Sequence, residues 1–198
     1  MPAASSERRR RRTPAEAEQE ILEAAEAFLR ARPFRDLTID EVMDRTGLSR
    51  PSFYVYFRDR HHLALRLLED LAAAVYRDGS AWLEGSGEPL DDMRAAIEGT
   101  VSALAQHGSM MRAISDAASE DAAVEHAYRR VVGAFVDAAA SRIQRDVEAG
   151  RAKVSDPATL AAALVWMNER YLLQSSVSDR RKATDILTHI WMCAIYGR

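Results

Sequence analysis

Residues 46–57, which read TGLSRPSFYVYF, constrain the fold of this chain more than any other segment. Gly47 predicts a sharp turn, because glycine takes positive φ without a steric penalty and so ends helices cheaply. Ser49 is placed to cap a following helix, with its hydroxyl accepting a hydrogen bond from a backbone N–H near Ser52. Pro51 suits the first turn of that helix, where its missing N–H costs nothing. The segment therefore predicts a turn followed by a helix.

A second short helix is predicted immediately before this turn. Thr38 and Glu41 have the spacing of a capping box. The apolar residues after the cap recur at helical spacing, and they are Leu37, Ile39, Val42 and Met43. Two short helices joined by a tight turn form a helix-turn-helix, whose second helix enters the major groove of DNA. The same pattern also fits an ordinary helical hairpin packed inside a bundle.

The second predicted helix carries more aromatic side chains than one helical face can bury. Phe53 and Phe57 are four residues apart, so we expect both in the core against the first helix, with other rings pointing outward. In a helix-turn-helix the N-terminal residues of the second helix reach the base edges. Arg50 and Ser52 are therefore the candidate base contacts, because arginine to guanine is the commonest specific pairing. Tyr54 is a further candidate.

These residues resemble the amino-terminal signature of the tetracycline-repressor (TetR) family of DNA-binding regulators. The resemblance covers about residues 18–68. Arg60 stands where that family usually has a lysine, which keeps the charge but replaces a point charge with a planar guanidinium. The resemblance implies that four residues bind phosphates and set the register of the protein on DNA, namely Thr38, Ser49, Tyr56 and Arg60.

Composition favours an all-α protein. The 198 residues include only 9 Gly and 6 Pro, and almost no stretch shows the alternation of a β-strand. The single cysteine excludes an intrachain disulfide, and no apolar run approaches the roughly 20 residues that span a bilayer. We therefore expect a soluble cytoplasmic protein with no membrane partner.

The charge is distributed unevenly along the chain. The net charge is −3, but residues 1–62 hold 12 arginines against 11 acidic residues. Five of these arginines form the run Arg8–Arg12. This basic tail could follow the DNA backbone or enter a minor groove, as the arms of other DNA-binding domains do. The alternative is a solvated tail that touches nothing.

About nine helices and two functional units are predicted. We expect a disordered basic tail in residues 1–13, a helix-turn-helix DNA-binding domain in residues 14–62, and a ligand-binding and dimerisation domain in residues 63–198. The helix signals are a start at Thr13, Pro14 and Glu16, a cap at Asp59, a break at Gly85 to Pro89, an end at Gly108, a shorter helix over 110–119, a long helix from Asp121 to Gly150, a start at Asp156 and Pro157, and a last helix from Asp179 to Tyr196.

The second unit contains no credible catalytic group of residues. His61 and His62 are adjacent and cannot share one helical face, and the other histidines lack the spacing of metal ligands. These are His107, His126 and His189. We therefore expect no enzyme activity, no cofactor and no metal. The methionines and aromatic residues of the middle helices fit either a plain core or an apolar ligand cavity.

Residues 166–170, which read WMNER, and the closing segments 189–191 and 195–197 resemble the C-terminal part of the mycobacterial ethionamide-resistance (EthR-like) regulators. In those relatives the asparagine of this run hydrogen-bonds a ligand inside an apolar channel. The resemblance therefore implies that Asn168 is a polar pocket residue, and a helix–helix contact at the dimer interface is the alternative. It also assigns seven residues to the channel wall, namely Met93, Ile97, Leu104, Tyr128, Phe135, Leu172 and Trp191.

A homodimer on a palindromic DNA operator is expected, because one recognition helix reads only a few base pairs. The last two helices carry large apolar residues on more than one side, and the resemblance implies that they form a four-helix interface. The alternative is that these residues are simply the core of the subunit. We expect a ligand-responsive regulator, a repressor released from its operator by an apolar small molecule. A constitutive architectural DNA-binding protein and a small-molecule carrier are the alternatives.

Overall fold

The computed structural model describes residues 12–85, 87–174 and 179–197. All regular structure in these ranges is helical, which confirms the predicted all-α fold of about nine helices. The basic tail predicted for residues 1–13 lies outside the described residues, except for Arg12 and Thr13. The helices are α1 (Pro14–Ala31), a short 3₁₀ helix (Phe34–Asp36), α2 (Ile39–Met43), α3 (Arg50–Tyr56), α4 (Arg60–Glu84), α5 (Pro89–Glu120), α6 (Ala122–Glu148), α7 (Pro157–Gln174) and α8 (Arg180–Tyr196).

Side-chain caps begin several helices where the sequence predicts. Thr13 and Glu16 form a complete capping box at the start of α1, with the Glu16 N–H donating to the Thr13 hydroxyl at 3.2 Å. Asp59, Asp121 and Asp179 each accept a hydrogen bond from the first turn of α4, α6 and α8 respectively. These bonds satisfy N–H groups that have no partner inside the helix, and so they fix where the helices start.

One predicted helix boundary is wrong. α5 runs unbroken for 32 residues, whereas the sequence predicted an end at Gly108 and a separate helix over 110–119. A glycine inside a helix costs only about 1 kcal/mol relative to alanine. The residues that follow, Met110 and Ile114, are buried in the core, and burying side chains of this size stabilises by roughly 1.5–3 kcal/mol each. The burial outweighs the glycine, so the helix continues.

α5 is the central helix of the body. It packs against α4, α6, α7 and α8, and its C-terminal part also contacts the N-terminal helices. The buried side chains of these helices form one continuous core, which extends from Ile21 in α1 to Ile195 in α8. The boundary expected between residues 62 and 63 falls in the first turn of α4. α4 therefore runs from the head, which comprises residues 14–62, into the body.

None of the helices in the described ranges is long and apolar enough to span a membrane.

Candidate DNA-binding surface and ligand cavity

Hydrogen bonds close the turn between α2 and α3, and Gly47 does not adopt positive φ there. The expectation of positive φ at Gly47 is wrong, because in the described residues positive φ occurs only at Gly150 and Gly197. The Thr46 hydroxyl donates to the carbonyl three residues earlier (2.8 Å) and accepts from the N–H two residues later (3.2 Å). The Gly47 N–H donates to Glu20 Oε1 at 2.6 Å. These bonds tie the turn to itself and to α1.

Ser49 is the N-cap residue of α3, but its hydroxyl does not form the predicted cap. The Oγ atoms of Ser49 and Ser52 lie 3.0 Å apart and hydrogen-bond each other. The Ser52 N–H instead donates to the Ser49 carbonyl oxygen at 2.9 Å. The backbone therefore satisfies the donor that the sequence assigned to the hydroxyl.

α3 buries one face and exposes the other. Phe53 and Phe57 are fully buried with ring centroids 5.3 Å apart, which confirms that both belong to the core. Tyr54 is 51% exposed. Arg50 is also exposed, with its Nε 2.5 Å from Asp40 Oδ1 and its guanidinium carbon 5.9 Å from the centroid of the Tyr54 ring. The outer face of α3 thus presents Arg50, with Asp40 and the Tyr54 ring beside it.

The residues predicted to contact DNA phosphates differ in solvent exposure and in the hydrogen bonds they already make. Thr38 and Ser49 are exposed at the starts of α2 and α3, and Tyr56 is half-buried. The Thr38 hydroxyl accepts from the Glu41 N–H at 3.3 Å, but the Glu41 carboxylate pairs with Arg32 and does not reach back to the Thr38 N–H. The predicted capping box is therefore only half formed.

Arg60 is engaged inside the protein. Its guanidinium donates to the carbonyl oxygens of Arg35 (3.3 Å) and Leu37 (3.4 Å) and lies 5.0 Å from the centroid of the Phe34 ring. It also lies 3.8 Å from a carboxylate oxygen of Glu120, at the end of α5. The first residue of α4 thus joins the head to the central helix of the body.

A cavity lies in the body among α4, α5, α6, α7 and α8. The space inside it that a water molecule can reach is about 130 Å³, and its atom-free space, which includes solvent at the open mouth, is about 890 Å³. The lining is almost entirely apolar. Seven of the eight residues assigned to the channel line it, namely Met93, Ile97, Leu104, Phe135, Asn168, Leu172 and Trp191. α4 supplies another part of the wall, which includes Leu68, Leu71, Val75 and Trp82.

Tyr128 is the exception, because it lies behind the cavity wall. It is buried, and its hydroxyl donates to Glu169 Oε1. Burial and the hydrogen bond to Glu169 raise the pKa of Tyr128 above its usual value. Tyr128 therefore holds Glu169, which does line the cavity and which sequence reasoning missed although it follows Asn168 directly.

Asn168 faces the cavity and joins two helices. Its Oδ1 accepts a hydrogen bond from Trp191 Nε1 at 3.1 Å, and both side chains are buried. The Trp191 ring also packs edge-on against Trp82, with centroids 5.6 Å apart. The Asn168–Trp191 hydrogen bond therefore joins α7 to α8 within one subunit, at the wall of the cavity.

A buried ionic cluster holds the C-terminal end of α4. Arg142 on α6 donates to the carbonyl oxygens of Trp82 and Gly85, and its Nε lies 3.1 Å from Asp146 Oδ2. Asp146 is fully buried and also accepts from the Tyr196 hydroxyl. Burial raises the pKa of Asp146, but these hydrogen bonds outweigh it and leave the pKa below its usual value. The cluster ties the end of α4 to α6 and α8.

The large apolar residues of α7 and α8 divide into two sets. Leu172, Trp191 and Ile195 are buried in the core of the subunit. Trp166 and Tyr171, on α7, are each exposed by more than a third of their surface. Part of the predicted dimer surface is therefore core, and part is exposed.

In the described part of the chain, no group of three or more His, Cys, Asp or Glu side chains is placed to hold a metal ion.

Solved transcriptional regulators share the fold of this chain. The structure of the regulatory protein TetR from Rhodobacter sphaeroides has a TM-score of 0.73 and 21% identity, and the match covers 90% of this chain and 98% of that one. A complex of SmeT with triclosan has a TM-score of 0.74 and 16% identity, with 91% of each chain covered. These similarities establish the TetR fold.

The family follows from the sequence. Residues 21–67 match the family model of bacterial regulatory proteins of the tetR family, and residues 93–197 match that of the C-terminal domain of the transcriptional regulator EthR. The chain belongs to the TetR family, with an EthR-type C-terminal half, and it is a DNA-binding transcriptional regulator.

Curated relatives agree with this classification. The chain is 28% identical over 187 residues to the HTH-type transcriptional regulator EthR of Mycolicibacterium smegmatis, covering 91% of this chain and 86% of that protein. It is 29% identical over 189 residues to EthR of Mycobacterium tuberculosis, covering 89% and 86% respectively.

Proposed function

We propose that this regulator is a homodimeric repressor that leaves a palindromic operator when an apolar small molecule fills the cavity of its body. The observation that carries the proposal is the course of α4. Its first residue, Arg60, contacts the head, and Leu71, Val75 and Trp82 further along form a wall of the cavity. One rigid helix therefore links the DNA-binding surface to the space where a ligand would bind.

The exposed start of α3 supports a role in reading DNA. Arg50, Ser52 and Tyr54 are the proposed base contacts, because the N-terminal residues of a recognition helix reach the base edges. The Arg50 guanidinium lies on this exposed face, beside Asp40 and the Tyr54 ring.

Phosphate contacts from Thr38, Ser49 and Tyr56 remain part of the proposal. For Arg60 the contacts within the protein favour a positioning role over the phosphate contact that the sequence suggested. Its guanidinium spans the 3₁₀ helix, the start of α4 and the end of α5. The division into a DNA-binding unit before residue 63 and a ligand-binding unit after it is proposed on the same grounds.

The exposed apolar residues of the last two helices support the homodimer. Three large apolar side chains are exposed to solvent in the single subunit, namely Trp166, Tyr171 and Ile186. Large apolar side chains exposed on a subunit can belong to a protein interface. Two copies paired through this surface would present two α3 helices to successive major grooves, which are about 34–36 Å apart when half-sites are separated by one turn.

Release requires that the ligand binds one arrangement of the heads better than the other. The ionic cluster of Arg142 and Asp146 fixes the C-terminal end of α4. A shift of the cavity wall would therefore act on its N-terminal part, where Arg60 contacts the head and α5, and would move the attached head. Moving the two heads apart would mismatch the groove spacing. The similar fold of SmeT was solved in complex with triclosan, which supports a small-molecule effector for this fold.

Selection of bound sequences from a pool of random duplexes tests the DNA-binding part. We expect enrichment of a palindrome whose half-sites are about one helical turn apart. Arg50→Ala should lose the preference at one base pair of each half-site, whereas Val55→Ala, at another exposed position on α3, should keep it. Equal retention of all duplexes at physiological salt would contradict the proposal and favour an architectural DNA-binding protein. A carrier would retain no duplex.

A further inference from the structure

We propose that the effector is an apolar amine, which places its hydrophobic part in the cavity and donates an ammonium N–H to the carboxylate of Glu169. The inference rests on the proposed function and names the class of ligand. It depends on one buried carboxylate, one oxygen of which accepts no hydrogen bond from the described residues.

Glu169 is an unusual residue for the wall of an apolar cavity. Only 5% of its side chain is exposed, and it lines the cavity from α7. Its Oε1 accepts the hydroxyl proton of Tyr128. Its Oε2 is buried without a hydrogen-bond partner among the described residues. Buried polar atoms are nearly always hydrogen-bonded, so an exception in a residue that lines a cavity points to a missing donor.

The charged neighbour of Glu169 does not supply that donor. Arg170 Nε lies 3.7 Å from Oε2, beyond the length of a hydrogen bond, and its side chain is 60% exposed. Water screens an ion pair with so exposed a partner, and such pairs stabilise weakly. The arginine therefore offsets part of the charge but leaves the acceptor unsatisfied.

The other polar side chain on this part of the wall cannot serve as the anchor in the same way. Asn168 Oδ1 already accepts from Trp191 Nε1. A ligand that hydrogen-bonds Oε2 of Glu169 displaces no protein donor, and a buried carboxylate gains most from a charged donor. A protonated amine meets this need, and its apolar remainder contacts Met93, Phe135 and Leu172.

The amine preference is measurable with three isosteric probes. These are phenylbutylamine, phenylbutanol and phenylbutyrate, each with the ring on the terminal carbon, titrated into the purified full-length protein by calorimetry. A charge-assisted hydrogen bond should make the amine bind roughly tenfold more tightly than the alcohol. The butyrate should bind most weakly, because its carboxylate would face that of Glu169.

Variants identify the residue responsible. Glu169→Gln keeps the shape and removes the charge, so it should weaken the amine about tenfold and change the alcohol by less than about twofold. Glu148→Gln, at an exposed position on α6, is the matched control for net charge and should change neither. Tyr128→Phe removes the donor to Oε1 and should increase the preference for the amine over the alcohol.

Equal affinity of the native protein for amine and alcohol would overturn the inference, and this comparison needs no variant. An equal loss of affinity for the amine and the alcohol in a folded Glu169→Gln variant would also overturn the inference. Operator binding in the same samples separates the two proposals. If the amine binds through Glu169 but the protein stays on DNA, the amine inference is supported and the release mechanism is refuted. If amine and alcohol bind with equal affinity and both release DNA, the release mechanism is supported and the amine inference is refuted.

Discussion

Replacing Asp146 by asparagine removes the charge from a fully buried carboxylate while keeping its size. In the native protein Asp146 accepts from Arg142 Nε at 3.1 Å, from Arg151 Nε at 3.1 Å and from the Tyr196 hydroxyl. Arg142 is itself buried and donates to the last carbonyls of α4, including that of Gly85 at 2.8 Å. The substitution therefore leaves a buried guanidinium without its countercharge.

The expected cost is large. Removing one partner of a buried ion pair destabilises by roughly 3–5 kcal/mol. For a chain of this size each kcal/mol lowers the melting temperature by about 2–4 °C, so Asp146→Asn should melt roughly 6–20 °C below the native protein. Asp185→Asn is the matched control, because Asp185 pairs with Arg94 at 2.6 Å but is 49% exposed. An exposed pair should contribute no more than about 1 kcal/mol.

Urea unfolding followed by circular dichroism measures both variants at one fixed protein concentration, which is needed because dimerisation couples stability to concentration. The comparison also depends on pH. The pKa of Asp146 is lowered on folding, so its stabilisation is present above the pKa of an unfolded aspartate, about 3.9, and is lost as pH falls through the lower folded value. The difference in the free energy of unfolding between the native protein and Asp146→Asn should therefore become smaller below about pH 4. Equal unfolding of Asp146→Asn and Asp185→Asn at neutral pH would refute this reasoning.

Three further substitutions test the site. Arg50→Ala should weaken operator binding by about 1–3 kcal/mol and relax the choice at one base pair; fluorescence anisotropy on single-base operator variants measures this, and uniform weakening would make Arg50 a phosphate contact. Trp166→Glu should convert the dimer to monomer in sedimentation, and an unchanged dimer would exclude the exposed face of α7. Asn168→Ala should lower stability by about 1–3 kcal/mol, because it leaves the buried Trp191 N–H unpaired; an unchanged thermal unfolding curve would show that this bond adds nothing.

The sequence predicted features that depend on near neighbours. Thr13, Asp59, Asp121 and Asp179 cap helices because each acts on backbone groups within three residues, and such signals are visible in one short window. The outward face of α3 was predicted for a similar reason. Once Phe53 and Phe57 occupy one side of a short helix, Tyr54 must point away from the core.

Local rules failed where a distant contact decides the outcome. Gly108 looked like a helix end, but burial of α5 in the centre of the body outweighs the cost of a helical glycine. The resemblance assigned Tyr128 to the channel wall, yet its hydroxyl donates to Glu169, which lies 41 positions further along the chain. Asn168 lines the cavity, and so does Glu169 beside it, which the resemblance did not assign.

The ionic cluster at the end of α4 was invisible in the sequence for the same reason. Arg142 and Asp146 look like an ordinary exposed pair four residues apart on a helix. Their burial depends on α4 and α8, because Arg142 reaches carbonyls about 60 positions away, and Tyr196 closes the cluster from the last helix. Only the packing of α4 and α8 against α6 reveals it.

The affinity of one purified dimer for its selected operator, measured with and without a saturating ligand of the cavity, tests the central claim most directly. The account predicts that a ligand whose binding is confirmed by calorimetry weakens operator binding by roughly tenfold or more, within the usual range of allosteric coupling. Tight occupation of the cavity with unchanged operator affinity would contradict it.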